Sequence, residues 1–158
     1  MGKEIERKFL VNPAKWLSME KPAGHLYRQG YLLTDPSKTV RVRLTDQSGY
    51  LTIKGITTGA SRAEYEYTIP AADAVELLEG FSTALVEKMR YKILYDGHTW
   101  EVDVFSGANH GLIVAEIELT DEDETFSLPA WIGREVTEES KYYNVNLGQF
   151  PYSSWTDK

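Results

Sequence analysis

The chain contains no cysteine. Disulfides, thiolate metal sites and a thiol nucleophile are therefore excluded, and the composition suits a reducing compartment. No apolar run approaches the roughly 18 residues needed to cross a bilayer. The opening residues, Met1-Gly2-Lys3-Glu4-Ile5-Glu6, are charged and alternating, unlike a secretory leader. Basic excess is missing too. The 17 Lys and Arg stand against 24 Asp and Glu, for a net charge of −7, so no general nucleic-acid surface is expected. The three histidines, His25, His98 and His110, are not spaced as a metal cluster, and no Gly-x-Ser-x-Gly elbow occurs. These absences describe a soluble, cytoplasmic protein with neither nucleic acid nor membrane as partner. Its 158 residues suit one domain, 1–158, able to bury a core without staples. Monomer and homodimer both remain open.

What is present is alternation with period two. It predicts strands over 3–11, 25–33, 38–45, 50–55, 62–69, 85–95, 98–105 and 112–120. Asp96-Gly97 reads as a two-residue hairpin turn and Gln47-Ser48-Gly49 as a slightly longer one, so neighbours should pair antiparallel. Short helices are expected after Asn12-Pro13, over Pro70–Leu78, from the Thr120 cap through the acidic run Asp121–Glu124, and from Thr137 to Leu147 with Gly148 as stop. The fold class is therefore mainly β with a few flanking helices.

Side chains of a strand alternate between faces, so residue parity sorts them geometrically. Glu4, Glu6 and Lys8 share a face opposite Ile5 and Phe9, with Arg7 the exception. Arg41 and Arg43 oppose Val40, Val42 and Leu44. Lys54 opposes Leu51 and Ile53. Glu64 and Glu66 oppose Tyr65 and Tyr67. Lys88, Arg90 and Lys92 oppose Met89, Tyr91 and Ile93. Glu101 and Asp103 oppose Trp100 and Val102, and Glu116 and Glu118 oppose Ile117 and Leu119.

A sheet with one face in water also alternates this way, without any function. The uniform sign within single strands argues for something more, because neighbouring like charges repel unless a ligand or metal compensates. Eight antiparallel strands can close into a barrel with room for one small ligand. If the apolar face turns outward beneath the helices, the interior holds about seven cations and about eight carboxylates by the parity rule. Carboxylates with water suit Mg2+ or Mn2+. Lysine and arginine hold phosphoryl oxygens. Together they form the usual equipment for phosphoryl transfer.

The opening strand, Glu4-Ile5-Glu6-Arg7-Lys8, resembles the Glu-x-Glu-x-Lys signature of the CYTH, or triphosphate tunnel metalloenzyme, superfamily. The likeness continues in order through Arg41-Val42-Arg43, Lys54, Glu64-Tyr65-Glu66, Glu87-Lys88-Met89-Arg90, Glu101-Val102-Asp103, Glu116-Ile117-Glu118 and the ending 135–144. The resemblance implies a closed eight-stranded antiparallel tunnel, open at its ends, that binds a triphosphate with divalent metal. It implies that Glu4 and Glu6 with Glu118 bind the activating metal, Mg2+ or Mn2+, and that Glu116, Asp103, Glu101, Glu64 and Glu66 complete acidic sites or place water. Glu4, Glu6, Lys8, Asp103, Glu116 and Glu118 would be the catalytic set. Lys8, Arg41, Arg43, Lys54, Lys88 and Arg90 would hold phosphates, with Lys141 reaching one end of the tunnel. The expected activity is hydrolysis of inorganic tripolyphosphate. The alternatives are a class IV adenylate cyclase, a thiamine or nucleoside triphosphatase, and a module that binds polyphosphate without turnover.

Overall fold

The computed structural model describes residues 2–158. Nine strands form: β1 (Lys3–Val11), β2 (His25–Asp35), β3 (Lys38–Thr45), β4 (Ser48–Gly55), β5 (Ser61–Ile69), β6 (Thr83–Tyr95), β7 (His98–Phe105), β8 (Ile113–Glu118) and β9 (Ile132–Glu135). Every pairing is antiparallel. The order runs β5-β4-β3-β2-β6-β7-β8-β1, and β1 returns to β5, which closes an eight-stranded barrel. That seam is short: Lys3, Glu4 and Ile5 face Ala63, Arg62 and Ser61. Farther along, β1 leaves β5 and pairs with β9 at Phe9 and Val11.

The hairpins follow turn chemistry. Asp96 and Gly97 both take positive φ, as a two-residue turn between right-twisted strands requires. The β3–β4 turn is Asp46-Gln47 rather than the expected 47–49, with Thr45 opposite Ser48 and Asp46 at φ 45°. Gly49 thus lies inside β4. A Cβ there would come within 2.9 Å of Ala74 Cβ, so its smallness lets the helix above it dock.

Three short helices lie outside the strands: α1 (Pro13–Ser18), α2 (Ala71–Gly80) and α3 (Asn144–Gln149). Asn12 caps α1 by accepting from the Lys15 N–H, with Pro13 in the first turn where no N–H is needed. α1 places Trp16 edge-on to Tyr91 and Trp131. These rings join Ile5, Phe9, Trp100, Val102, Ala115 and Ile117 in the largest core, which is the outer face of β1, β7 and β8. α2 covers the outer face of β3 and β4 through Ala74 and Leu78 on Val42 and Leu51. Apolar parity therefore faces out beneath helices and loops, and charged parity faces in.

Two helix expectations are corrected. The acidic run 121–124 starts no helix; Glu124 turns back to accept from both the N–H and hydroxyl of Thr120 and from His98, which makes a tight turn. The stretch from Thr137 is not one helix but a 3-10 turn, Ser140–Tyr142, followed by α3. Thr137 Oγ1 is tied across to β1 by accepting from the Lys8 N–H, and Val136 N donates to Lys8 O. Gly148 sits within α3, where a Cβ would lie 2.3 Å from Ala84 O. It marks a close approach of α3 to β6 instead of a helix stop.

The inner face changes character along the barrel. Moving two residues on from Lys8, Lys88, Asp103 and Glu116 leads to Leu10, Val86, Phe105 and Val114. These pack with Tyr142 and Leu147 of the C-terminal segment. One end of the barrel is filled by apolar side chains, so it is not a tunnel open at both ends.

Candidate active site

The remaining interior is a cavity of about 220 Å³. The strands place Glu4, Glu6, Lys8, Arg41, Arg43, Lys54, Glu64, Glu66, Lys88, Arg90, Glu101, Glu116 and Glu118 on its wall. Asp103 lies one layer deeper, 1% exposed. Lys92, on the same parity, is exposed and does not line the cavity. Lys141 does not line it either. Its ammonium sits over the rings of Trp155 and Tyr142, 4.5 and 5.4 Å from their centroids. The C-terminal residues on the wall are Thr137, Tyr143, Asn144 and Val145.

At the plugged end the charges form a buried network. Asp103 accepts from Lys88 Nζ at 2.7 Å and from Arg90 at 2.7 and 2.8 Å. Arg90 also donates to Glu116 at 2.9 Å, and Lys8 lies 3.5 Å from the other Glu116 oxygen. Lys88 donates again to Asn144 Oδ1 at 3.0 Å, and Lys8 to Tyr142 O at 3.5 Å, so both lysines touch the plug. Burial opposes ionisation of Glu116 and Asp103, but Lys8 and Arg90, and Arg90 and Lys88, hold them below the usual carboxylate range. Burial draws Lys88 down to about 7 against the pull of Asp103.

At the other end carboxylates dominate. Glu6 stands directly opposite Glu118 on β1 and β8, both facing in. Burial, then Glu116 and Glu4, push the Glu6 carboxyl well up. Burial and the charges of Glu4, Glu64 and Glu101 raise Glu118. Burial and Glu4 raise Glu64 against the pull of Lys54. Glu4 is the exception. Although burial raises it, Lys54, 3.2 Å from both its oxygens, and Arg62 at 3.4 Å bring it down. Among the described residues no three carboxylates stand close enough together to form a ready metal cage. The donor chemistry nevertheless fits a hard divalent cation: only carboxylate oxygens are offered, and their mutual repulsion is what such a cation relieves.

Several wall or near-wall residues, among them Arg62, Gln29, Tyr143 and Asn144, are not singled out from the sequence. Arg62 begins β5 on the parity of Glu64 and Glu66, a signal that was available. Gln29 lies on β2, where a neutral amide carries no charge pattern. Tyr143 and Asn144 stand at the start of α3, a helix too short for any periodicity to announce its approach. Arg7, the exception to parity, points outward and makes a two-pronged pair with Glu135 of β9 at 2.8 and 2.6 Å.

The family model for the CYTH domain matches residues 2–148. A protein of Acetivibrio thermocellus named inorganic triphosphatase is 52% identical over 158 residues, covering 99% of this chain and 100% of its own. A protein of the same name from Nitrosomonas europaea is 39% identical over 153 residues, 91% of this chain and 95% of its own. A solved structure described as that of an inorganic triphosphatase aligns with TM-score 0.64 and 36% identity, over 92% of this chain and 93% of its own.

Proposed function

The chain belongs to the CYTH domain family, and we propose that it is a divalent-metal-dependent inorganic triphosphatase working inside the barrel. The observation that carries the reading is the wall itself. Seven cations and seven carboxylates share one cavity. A module that only held an anion would need the cations and would be weakened by the acids. The triphosphatase relatives, matched over nearly the whole chain, support the same substrate.

In this reading Arg41, Arg43, Lys8, Lys88 and Arg90 bind the phosphoryl oxygens, and Asp103 fixes Lys88 and Arg90 from beneath without touching substrate. Lys54 and Arg62 hold Glu4 in place. Glu6 and Glu118, with Glu4, would hold Mg2+ or Mn2+, which supplies charge to the phosphoryl oxygens and acidity to a bound water. Glu64, Glu66, Glu101 and Glu116 orient water and accept its proton as the oxygen attacks the terminal phosphorus. That bond forms as the bridging P–O bond breaks, giving phosphate and pyrophosphate. The cations neutralise the charge that moves to the leaving group. No helix among the described residues is long and apolar enough to cross a membrane. We place the single domain in the cytoplasm, which the absence of cysteine supports, as a monomer or homodimer.

Incubation with tripolyphosphate and, separately, ATP tests the proposal. Phosphate and pyrophosphate from tripolyphosphate, faster than any product from ATP, are expected. Cyclic AMP as the main product from ATP would replace this reading with the cyclase.

A further inference from the structure

The cations on the wall are not equivalent. Lys8, Arg41, Lys54, Arg62, Lys88 and Arg90 each have a carboxylate oxygen within 3.5 Å. Arg43 has none among the described residues. Its side-chain hydrogen-bond partner is the amide of Gln29, whose Oε1 accepts from Arg43 Nε at 3.1 Å. Gln29 is fully buried and directly opposite Arg43 across β2 and β3.

The chemistry fixes how this amide is turned. A guanidinium N–H can only donate, so the glutamine oxygen must face it and the amino group must face away. That amino group has no partner among the described residues. On the same strand face, the Tyr27 ring lies 5.0 Å from the guanidiniums of both Arg43 and Arg90. Arg43 is therefore held by one neutral bond and one aromatic contact. Burial, with Arg41 and Arg90 nearby, draws it down to about 10. A half-buried cation with no carboxylate in contact is costly until an anion arrives.

We propose that Gln29 is a positioning residue that makes Arg43 the leading phosphoryl-binding group: it fixes the guanidinium with a neutral acceptor and leaves the whole charge for substrate. The other cations must share a carboxylate's partner with the phosphate, and Arg43 need not. A glutamate at position 29 would have the same shape and would cancel the charge. The inference rests on the triphosphatase reading.

The test compares Gln29→Glu and Gln29→Ala, alone and with Arg43→Ala, by KM and kcat for tripolyphosphate and by thermal midpoint. Gln29→Glu is expected to raise KM about tenfold or more, the loss of roughly one charge-assisted hydrogen bond, with a smaller change in kcat. Gln29→Ala should raise KM less, because Arg43 keeps its charge. In the Arg43→Ala background Gln29→Glu should change KM little. A wild-type KM for Gln29→Glu, an equal loss in the Arg43→Ala background, or a greater loss for Gln29→Ala would each overturn the proposal. A merely structural role would lower the midpoint of both variants without that ordering of KM. If Gln29→Glu does not fold, calorimetric binding of tripolyphosphate to Gln29→Ala without metal decides: weaker binding supports the proposal and unchanged binding overturns it. Wild-type protein that binds tripolyphosphate but never hydrolyses it would remove the triphosphatase reading alone, and the binding comparison would still judge Gln29.

Discussion

Arg90 holds Asp103 with two parallel hydrogen bonds, Nε to Oδ1 at 2.7 Å and Nη2 to Oδ2 at 2.8 Å. Lys88 shares the second oxygen at 2.7 Å. Both oxygens of a nearly inaccessible carboxylate are thus committed to cations, and the arrangement orients two cations of the cavity wall at once. Asp103→Ala would leave Lys88 buried without a counter-charge and Arg90 with only Glu116 and Glu101. Breaking such a pair costs about 3–5 kcal/mol, to be measured by urea denaturation. Asp103→Asn should lower kcat/KM at least tenfold or so with a smaller loss of stability, because the shape remains and the charge that fixes Lys88 does not.

Chelation should abolish phosphate release, and Mg2+ or Mn2+ should restore it, since the acidic end offers only oxygen donors. Glu6→Gln should remove most activity. Its metal-free form should be at least as stable as wild type, because like-charge repulsion with Glu116 and Glu4 is relieved. Thermal midpoints with and without chelator, beside the activity assay, separate these effects. A strongly destabilised Glu6→Gln would count against the electrostatic account.

The metal-free protein should show opposed pH effects. Burial, then Glu116 and Glu4, lift Glu6 above its ordinary 4.5, so the folded state binds that proton more tightly than the unfolded chain. Stability should therefore fall as pH rises from 4.5 through the folded pKa of Glu6, and Glu64 and Glu118 act in the same sense. Glu116 and Asp103 are lowered despite burial, through Lys8 and Arg90 respectively and their neighbouring cations. Their contribution is lost as pH falls below their ordinary 4.5 and 3.8. Denaturation midpoints in chelator should peak on the acid side of neutrality, and Glu6→Gln should flatten the descent toward neutral pH.

Lys88 and Lys141 should part company. Lys88→Ala removes a wall cation and should lower kcat/KM about ten- to a hundredfold, the worth of a charge-assisted hydrogen bond. Lys141, stacked on Trp155 away from the cavity, should tolerate alanine with kcat/KM near wild type. Equal losses from the two would mean that Lys141 reaches substrate.

Gly148→Ala should destabilise the fold by about 1–3 kcal/mol, the usual cost of overpacking. The new Cβ would stand 2.3 Å from Ala84 O, a backbone atom that cannot swing aside. Because α3 carries Asn144 against Lys88, a fall in kcat/KM should accompany the lower denaturation midpoint.

The eight barrel strands were legible because burial on one face and charge on the other leave a period-two record in the letters. β9 was not: four residues containing Gly133, pairing with β1 across a register shift, are too few to show a period. Its presence was written instead in Arg7, whose odd parity is explained by Glu135. The acidic run 121–124 misled because a glutamate can satisfy a preceding N–H in a turn as well as in a helix. The apolar plug was readable in principle, since Lys8, Lys88, Asp103 and Glu116 each give way to an apolar residue two positions along. The filling partners, Tyr142 and Leu147, come from a segment without regular period. Gln29 stayed hidden because a neutral residue on a charged face breaks no pattern.

Fold and chemistry are spelled in alternate letters of the same strands, and this shapes how the chain can vary. Exchanging one outer residue for another of similar size disturbs packing and leaves the cavity wall intact, and the reverse holds for inner residues. A single-residue insertion within β1 or β8 is different. It would turn Glu4, Glu6 or Glu116 toward the aromatic core and bring Ile5, Phe9 or Ile117 into the cavity, damaging stability and catalysis in one event. Changes of length should therefore be confined to segments outside the strands. Descendants of this chain should drift freely in side chain while their strand lengths stay nearly constant.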